Sequence, residues 1–167
     1  MALAQIAGAE ADEIRKAMLS FGGMDRRFDF HVRRDDMVYI SDYAHHPEEI
    51  RQSILSIKQL YEGRRIRAIF QPHLYSRTND FYKEFADALS LLDDVVLMDI
   101  YPAREEPIPG VTSKLIYDNL KSGIRKRLCN KTDILQHVHQ RDYDVLVTLG
   151  AGDIEDFAEE ITNILNR

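Results

Sequence analysis

Ile66-Arg67-Ala68-Ile69-Phe70, then Gln71 to Thr78, then Asn79 to Leu91, then Val95-Val96-Leu97-Met98-Asp99-Ile100 is the stretch that decides the fold. Its outer segments are short, rich in β-formers and almost wholly apolar, as strands covered on both faces are. The stretch between them is amphipathic and long enough to be a helix, so the three pieces form a βαβ crossover with parallel strands. Working outward, Val145 to Thr148 is another strand of this kind. Pro47 to Tyr61, Thr112 to Lys121, Asp133 to Gln140 and Ile154 to Leu165 are further helices. Their starts carry local signals: Pro47 in a first turn with Glu48 and Glu49 after it, Thr112 as a cap, and Asp153 before the last helix. One element breaks the pattern. Phe28, Phe30 and Val32 alternate with Asp29, His31 and Arg33, and Met37 to Ile40 follow the polar turn Arg33 to Asp36, which reads as an antiparallel hairpin. The expected fold is α/β: a mainly parallel sheet of about six strands with one antiparallel element, clothed by helices on both faces.

At 167 residues, 44% hydrophobic and 30% charged, the chain has the material for one core; two domains would each be unusually small. A net charge of -6 argues against nucleic acid, whose phosphates need a concentrated basic footprint. The run Lys121, Arg125, Lys126, Arg127 and Lys131 reads as a solvated face around a short strand. No apolar stretch approaches the roughly 20 residues that span a bilayer, so no membrane association is expected. Cys129 is the sole cysteine, and no secretory leader is legible, which points to the cytoplasm. Met1 to Ala11 is Ala-rich and lacks a cap before Leu3 and Ile6. From Asp12, which can cap, Ile14, Ala17, Met18 and Phe21 recur at helical spacing until Gly22-Gly23. Residues 1–24 are thus expected to be a helical remnant of a longer protein, and residues 25–167 the domain proper.

In doubly covered parallel sheets, function gathers in loops beyond the carboxyl ends of the strands. The relevant loops are Ser41 to His46, Gln71 to Thr78, Tyr101 to Gly110 and Leu149 to Asp153. The first packs Asp42, Tyr43, His45 and His46 between a strand end and a helix N-terminus, where unpaired N–H groups attract anions. It reads equally as a local arrangement in which His46 caps the helix and Asp42 satisfies backbone donors. The second offers His73 and Arg77; Arg77 could fork onto a carboxylate or phosphate, or be an exposed arginine at a helix start, where a cation opposes the helix dipole unless an anion sits beside it. Gly150-Ala151-Gly152 either lets the backbone approach a ligand or makes a tight turn. His45, His46 and His73 lack metal-ligand spacing, so no metal site is expected. Ser76 and Cys129 have no nucleophile context, and no phosphate-binding P-loop is present.

Taken together, Arg26-Arg27-Phe28, Asp42-Tyr43-Ala44-His45-His46-Pro47, Phe70-Gln71-Pro72-His73-Leu74-Tyr75-Ser76-Arg77-Thr78 and Tyr101-Pro102-Ala103-Arg104-Glu105-Glu106-Pro107-Ile108-Pro109-Gly110 resemble the C-terminal domain of the Mur ligase family. The third and fourth motifs point to its alanine-adding members. The resemblance implies a Rossmann-like three-layer domain serving a UDP-sugar-binding N-terminal domain and a central ATPase domain. It further implies the substrates UDP-N-acetylmuramate, L-alanine and ATP, with Mg bound mainly by the central domain. By the same resemblance Arg27 and Asp42 bind ATP, at its phosphates and its ribose. Tyr43, His46, Arg77, Gly150 and Gly152 are expected to face substrate, and His45, His73 and Arg77 to take part in catalysis. Leu74 departs from some relatives, which carry arginine there, and this removes one arm of a double-arginine grip. A ligase that adds a tripeptide to the same acceptor shares the first loop and is the alternative within the family; a stand-alone nucleotide-binding or interaction module is the alternative outside it.

Overall fold

The computed structural model describes residues 2–20, 24 and 26–167. In chain order its elements are α1 (Ala2–Ile6), α2 (Ala11–Ser20), β1 (Asp29–Arg33), β2 (Val38–Asp42), α3 (Pro47–Leu60), β3 (Ile66–Phe70), α4 (Tyr75–Leu89), β4 (Asp94–Met98), α5 (Lys114–Asn119), β5 (Arg125–Cys129), α6 (Ile134–His139), β6 (Val145–Leu149) and α7 (Ala158–Leu165). Short 3₁₀ turns, Lys131–Asp133 and Asp153–Phe157, precede α6 and α7. The strands form one six-stranded sheet in the order β1-β2-β6-β3-β4-β5. All neighbours are parallel except β1 and β2. In the hairpin Phe30 pairs with Ile40 but Val32 pairs with Tyr39, so His31 is an extra residue in the edge strand. The helix expected to end at Gly22-Gly23 is α2; those two glycines and Phe21 lie outside the described residues.

Every residue of β3, β4 and β6 is buried, which the near-continuous apolar runs demand of central parallel strands. Alternation then sorts side chains between two cores. Ile66, Ala68 and Phe70 face α3, α4 and α5 through Ile50, Ile54, Phe85, Leu89 and Ile116. Ile69, Val96 and Leu146 face α6 and α7 through Ile134, Val138, Ile161 and Leu165. The three layers follow directly.

Within this frame one side chain is anomalous. Arg67, in the middle strand, is 0% exposed. All five of its N–H groups are placed: Nε and Nη2 donate to Asp94 Oδ2 at 2.9 and 2.6 Å, Nη1 donates to the carbonyls of His137 and Gln140 at 2.7 and 2.8 Å, and Nη2 also reaches Asp142. Its guanidinium lies 4.6 Å from the centre of the Tyr143 ring. Burial raises the Asp142 carboxyl, but the charges of Arg67 and Arg125 outweigh this and hold it below the usual range. The basic run is therefore more than a solvated face. Arg127 donates to Asp94 at 2.9 Å, Arg125 pairs with Asp142, and Lys131 reaches Asp153 at 2.6 Å.

Three helix starts differ from expectation, and at α4 and α7 a distant group competes with the local signal. Helix α4 begins at Tyr75, not Asn79, because Glu105 accepts the Ser76 N–H at 3.0 Å and so caps the helix from another loop. Helix α5 begins at Lys114, with Thr112 Oγ1 accepting its N–H at 3.3 Å. Asp153 does not cap α7, because Gln71 and Lys131 engage its carboxylate. Replacing Arg67 with alanine should cost about 3–5 kcal/mol by stranding the buried Asp94 carboxylate; urea unfolding of wild type and variant, followed by circular dichroism, measures the difference.

Candidate functional site

Beyond the carboxyl end of β2 the chain turns through residues 43–46 into α3; beyond β3 it turns through residues 71–74 into α4; beyond β6 it turns through residues 150–152. Because β6 lies between β2 and β3, these turns are neighbours. Helices α3 and α4 leave to one face and α7 to the other, the arrangement that opens a crevice in such sheets. The Ser41 to His46 loop is shorter than expected, since Ser41 and Asp42 complete β2.

Asp42 Oδ1 accepts the Ala44 N–H at 3.2 Å and so shapes the turn. Its carbonyl accepts the Gly150 N–H at 3.1 Å, while Tyr43 N–H donates to the Arg26 carbonyl at 2.8 Å. The Arg26 and Arg27 guanidiniums lie 4.8 and 5.3 Å from the centre of the Tyr43 ring. Arg27 and Asp42 line one cleft of about 310 Å³, together with Phe28, Ala44, Gln52 and Ser53.

Next to this cleft the imidazoles meet. The ring centres of Tyr43 and His45 are 5.2 Å apart, those of His45 and His73 5.9 Å, and His73 stacks on Tyr101 at 5.6 Å. His45 Nδ1 sits 2.8 Å from the Tyr43 carbonyl oxygen, so this nitrogen carries a proton and donates it to that carbonyl. Glu49 receives the backbone N–H groups of His45 and His46 at 3.1 and 3.2 Å. Burial raises its carboxyl, yet those two donors hold it below the usual range. Arg77 Nη1 stands 3.5 Å from His73 Nδ1. Burial first, and then the Arg77 charge, lowers the His73 pKa from its ordinary value and keeps the ring neutral.

Glu105 meets the start of α4 from another loop. It takes both the N–H and the hydroxyl of Ser76, the hydroxyl being the largest of the influences that lower its own pKa. Two backbone bonds complete this clamp: Leu74 N–H donates to the Tyr101 carbonyl at 2.9 Å, and Tyr101 N–H to the Pro72 carbonyl at 2.8 Å.

The structure thus brings together Tyr43, His45, His73 and Arg77, with Arg27 and Asp42 in the adjoining cleft. It sets His46 apart: that ring packs against Phe81 at 5.3 Å, and the residue starts α3. Gly150 and Gly152 make a close approach, but to their own chain. A Cβ on Gly150 would lie 2.7 Å from the Gln71 carbonyl oxygen, and one on Gly152 would lie 2.8 Å from Tyr101 Cβ and closer still to Gln71 Oε1. Sequence reasoning gave no role to Tyr101, Glu105 or Gln71. All three stood inside quoted motifs, but their partners are nonlocal. Gln71 donates to Asp153 at 2.6 Å and accepts the Ile154 N–H at 3.0 Å. Among the described residues no three of His, Cys, Asp or Glu converge on a point where they could hold a metal ion.

Residues 26–159 match the profile described as Mur ligase, glutamate ligase domain. The chain belongs to the Mur ligase family. A Mur ligase of Phocaeicola vulgatus, UDP-N-acetylmuramate–L-alanine ligase, is 59% identical over 167 residues, covering all of this chain and 36% of the relative. The enzyme of the same name from Parabacteroides distasonis is 52% identical over 165 residues, with 99% and 36% covered. The chain therefore spans about a third of the length of the curated relatives it matches. The crystal structure of the UDP-N-acetylmuramate-alanine ligase of Thermotoga maritima superposes with a TM-score of 0.79 at 30% identity, covering 99% of this chain and 35% of that one. A murein peptide ligase from Psychrobacter arcticus shares the fold at 21% identity and a TM-score of 0.69, with 99% and 35% covered. The six-stranded mixed sheet is the one expected of a Mur ligase C-terminal domain.

Arg77→Gln should raise the His73 pKa toward its ordinary value, because it removes a positive charge 3.5 Å from Nδ1 while leaving the burial; an NMR titration of the His73 ring protons reads the shift. Gly152→Ala should destabilise the domain by about 1–3 kcal/mol through overpacking against Gln71 and Tyr101, seen as a lowered urea midpoint with an unchanged slope.

Proposed function

We propose that this chain is the C-terminal domain of an ATP-dependent ligase that joins L-alanine to UDP-N-acetylmuramate, a cytoplasmic step in making peptidoglycan precursors. The observation that carries the proposal is the convergence of Tyr43, His45, His73 and Arg77 beside a cleft lined by Arg27 and Asp42. The 59% identity to a relative of that name supports the alanine-adding reading over the tripeptide-adding one, to which the likeness is one of fold.

In this reading the muramoyl carboxylate attacks the γ-phosphoryl group of ATP, giving an acyl phosphate and ADP. The alanine amine then attacks the acyl carbon, loses a proton, and inorganic phosphate leaves as the amide forms. The cleft suits the nucleotide: Arg27 supplies a forked cation for phosphate and Asp42 a carboxylate for ribose hydroxyls. Mg, when bound, neutralises phosphate charge, and its ligands belong to the central domain. His45, with Nε2 open, and His73, held neutral, are placed to accept the amine proton. Arg77 meets substrate carboxylate or phosphate, and Tyr43 lines the wall between them. His46, Gly150 and Gly152 support that wall, by starting α3 and by letting Gln71 and Tyr101 pack closely.

The remaining catalytic groups lie in the N-terminal and central domains of the same enzyme. The segment that carries α1 and α2 leads to the central domain. Helix α2 buries none of its residues, and Leu3, Ile6 and Leu19 are all more than 80% exposed. The family profile begins only at residue 26. Closure of this domain over the ATPase domain brings alanine to the acyl phosphate and keeps water out.

The 167-residue chain alone should fold but release no phosphate from ATP in the presence of UDP-N-acetylmuramate and L-alanine; alanine-dependent release by the chain alone would contradict the divided site. In the full-length enzyme Asp42→Ala should raise the KM for ATP roughly 10-fold, the loss expected of one charge-assisted contact. An unchanged KM removes Asp42 from the nucleotide site.

A further inference from the structure

Two guanidiniums attend one ring beside the cleft: Arg26 lies 4.8 Å and Arg27 5.3 Å from the centre of Tyr43. Their other contacts divide them. Arg27 lines the cleft with Asp42 and Glu49, while Arg26 stays out of that lining. Arg26 is engaged with the protein instead. Its carbonyl accepts the Tyr43 N–H at 2.8 Å. Its Nε is buried and has no hydrogen-bond acceptor among the described residues, and Glu155 Oε2 stands 3.7 Å from that nitrogen. A buried charged donor is costly unless an opposite charge answers it, and Glu155 is the carboxylate that does so. Arg26 also holds φ +62°, left-handed backbone that a residue with a Cβ keeps only where its surroundings enforce it.

Glu155 is itself well anchored. It belongs to the 3₁₀ turn Asp153–Phe157, whose Ile154 N–H donates to Gln71 at 3.0 Å and whose Asp153 accepts from Gln71 and Lys131 at 2.6 Å each. Arg26 therefore ties the loop beyond β2 to the turn beyond β6. The tie is passed on through Tyr43, which holds His45 twice. The Tyr43 carbonyl is 2.8 Å from His45 Nδ1, and the two rings meet edge to face at 5.2 Å. His45 in turn lies 5.9 Å from His73. When Arg27 turns to a phosphate, the Tyr43 ring keeps one cation, and it is the one that the protein has anchored.

We propose that Arg26 is a positioning residue: anchored by Glu155, it fixes Tyr43, and through Tyr43 the His45 imidazole, while Arg27 serves the nucleotide. The proposal rests on the ligase reading above. It is tested in the full-length enzyme by alanine-dependent phosphate release, comparing wild type, Arg26→Gln, Arg26→Lys, Tyr43→Leu and the double variant with Arg26→Gln and Tyr43→Leu. Arg26→Gln should lower kcat about 10-fold and leave the KM for ATP within about 2-fold, since Arg26 stays out of the cleft. Arg26→Lys keeps a cation beside the ring without the planar stack and should fall about 3-fold below wild type. In the Tyr43→Leu background Arg26→Gln should cost less than about 2-fold, because a residue that acts through another adds nothing once that other is gone. An unchanged kcat, full additivity of the two substitutions, no recovery with lysine, or a KM for ATP that rises at constant kcat overturns the assignment. If the wild-type enzyme itself shows no alanine-dependent release, it is the ligase reading that fails.

Discussion

A guanidinium in the middle of a β-sheet has to be answered by the rest of the fold. Arg67 is covered on all sides, and its donors reach β4 through Asp94, the end of α6 through the His137 and Gln140 carbonyls, and the approach to β6 through Asp142. Losing any of these leaves a charge in a medium that cannot solvate it. Geometry built around such a group is held by a penalty for departure more than by a reward for contact. The network lies near the amino ends of β3 and β4, since Arg67 and Asp94 are in register there. The ends are thereby pinned on one side of the sheet, and the opposite side, where the strands run out into loops, is left to carry chemistry.

On that side the backbone is under strain. The non-glycine residues with left-handed φ among the described residues are Arg26, Phe28, Leu74 and Ala103. Two flank Arg27, one follows His73, and one sits in the turn that Glu105 ties down. Left-handed residues are uncommon outside glycine, and their gathering around one crevice follows the tendency of functional sites to hold conformations that free chain would relax. The bonds that uphold them are visible: Tyr43 N–H to the Arg26 carbonyl, Leu74 N–H to the Tyr101 carbonyl, and Ser76 to Glu105.

The parts of the structure that were legible in the sequence are those encoded locally. Apolar runs at Ile66 to Phe70 and Val145 to Thr148 can be little else than covered strands, and Pro47 with Glu48 and Glu49 announces a helix start within three residues. The His45, His73 and Arg77 cluster was legible because it lies at strand ends, where the fold class alone directs attention. What was hidden depends on pairing across the chain. Arg67 is one charged letter in an apolar strand, and nothing nearby shows that Asp94 and Asp142 await it. The start of α4 was misplaced because its cap is Glu105, almost thirty residues on. Gly150 and Gly152 read equally as a ligand approach or a tight turn, and the groups that lie where their side chains would be are Gln71 and Tyr101, on other loops.

The tether between Glu105 and Ser76 also bears on the thermodynamics of binding. Loops that must be ordered when substrate arrives lose conformational freedom at that moment, and affinity falls accordingly. Here the segment from Tyr101 to Glu105 and the first turn of α4 are already joined through backbone and side-chain bonds. These bonds join them into one piece. In the proposed ligase the entropy of assembling this wall has been spent during folding, and binding has only to bring two finished surfaces together.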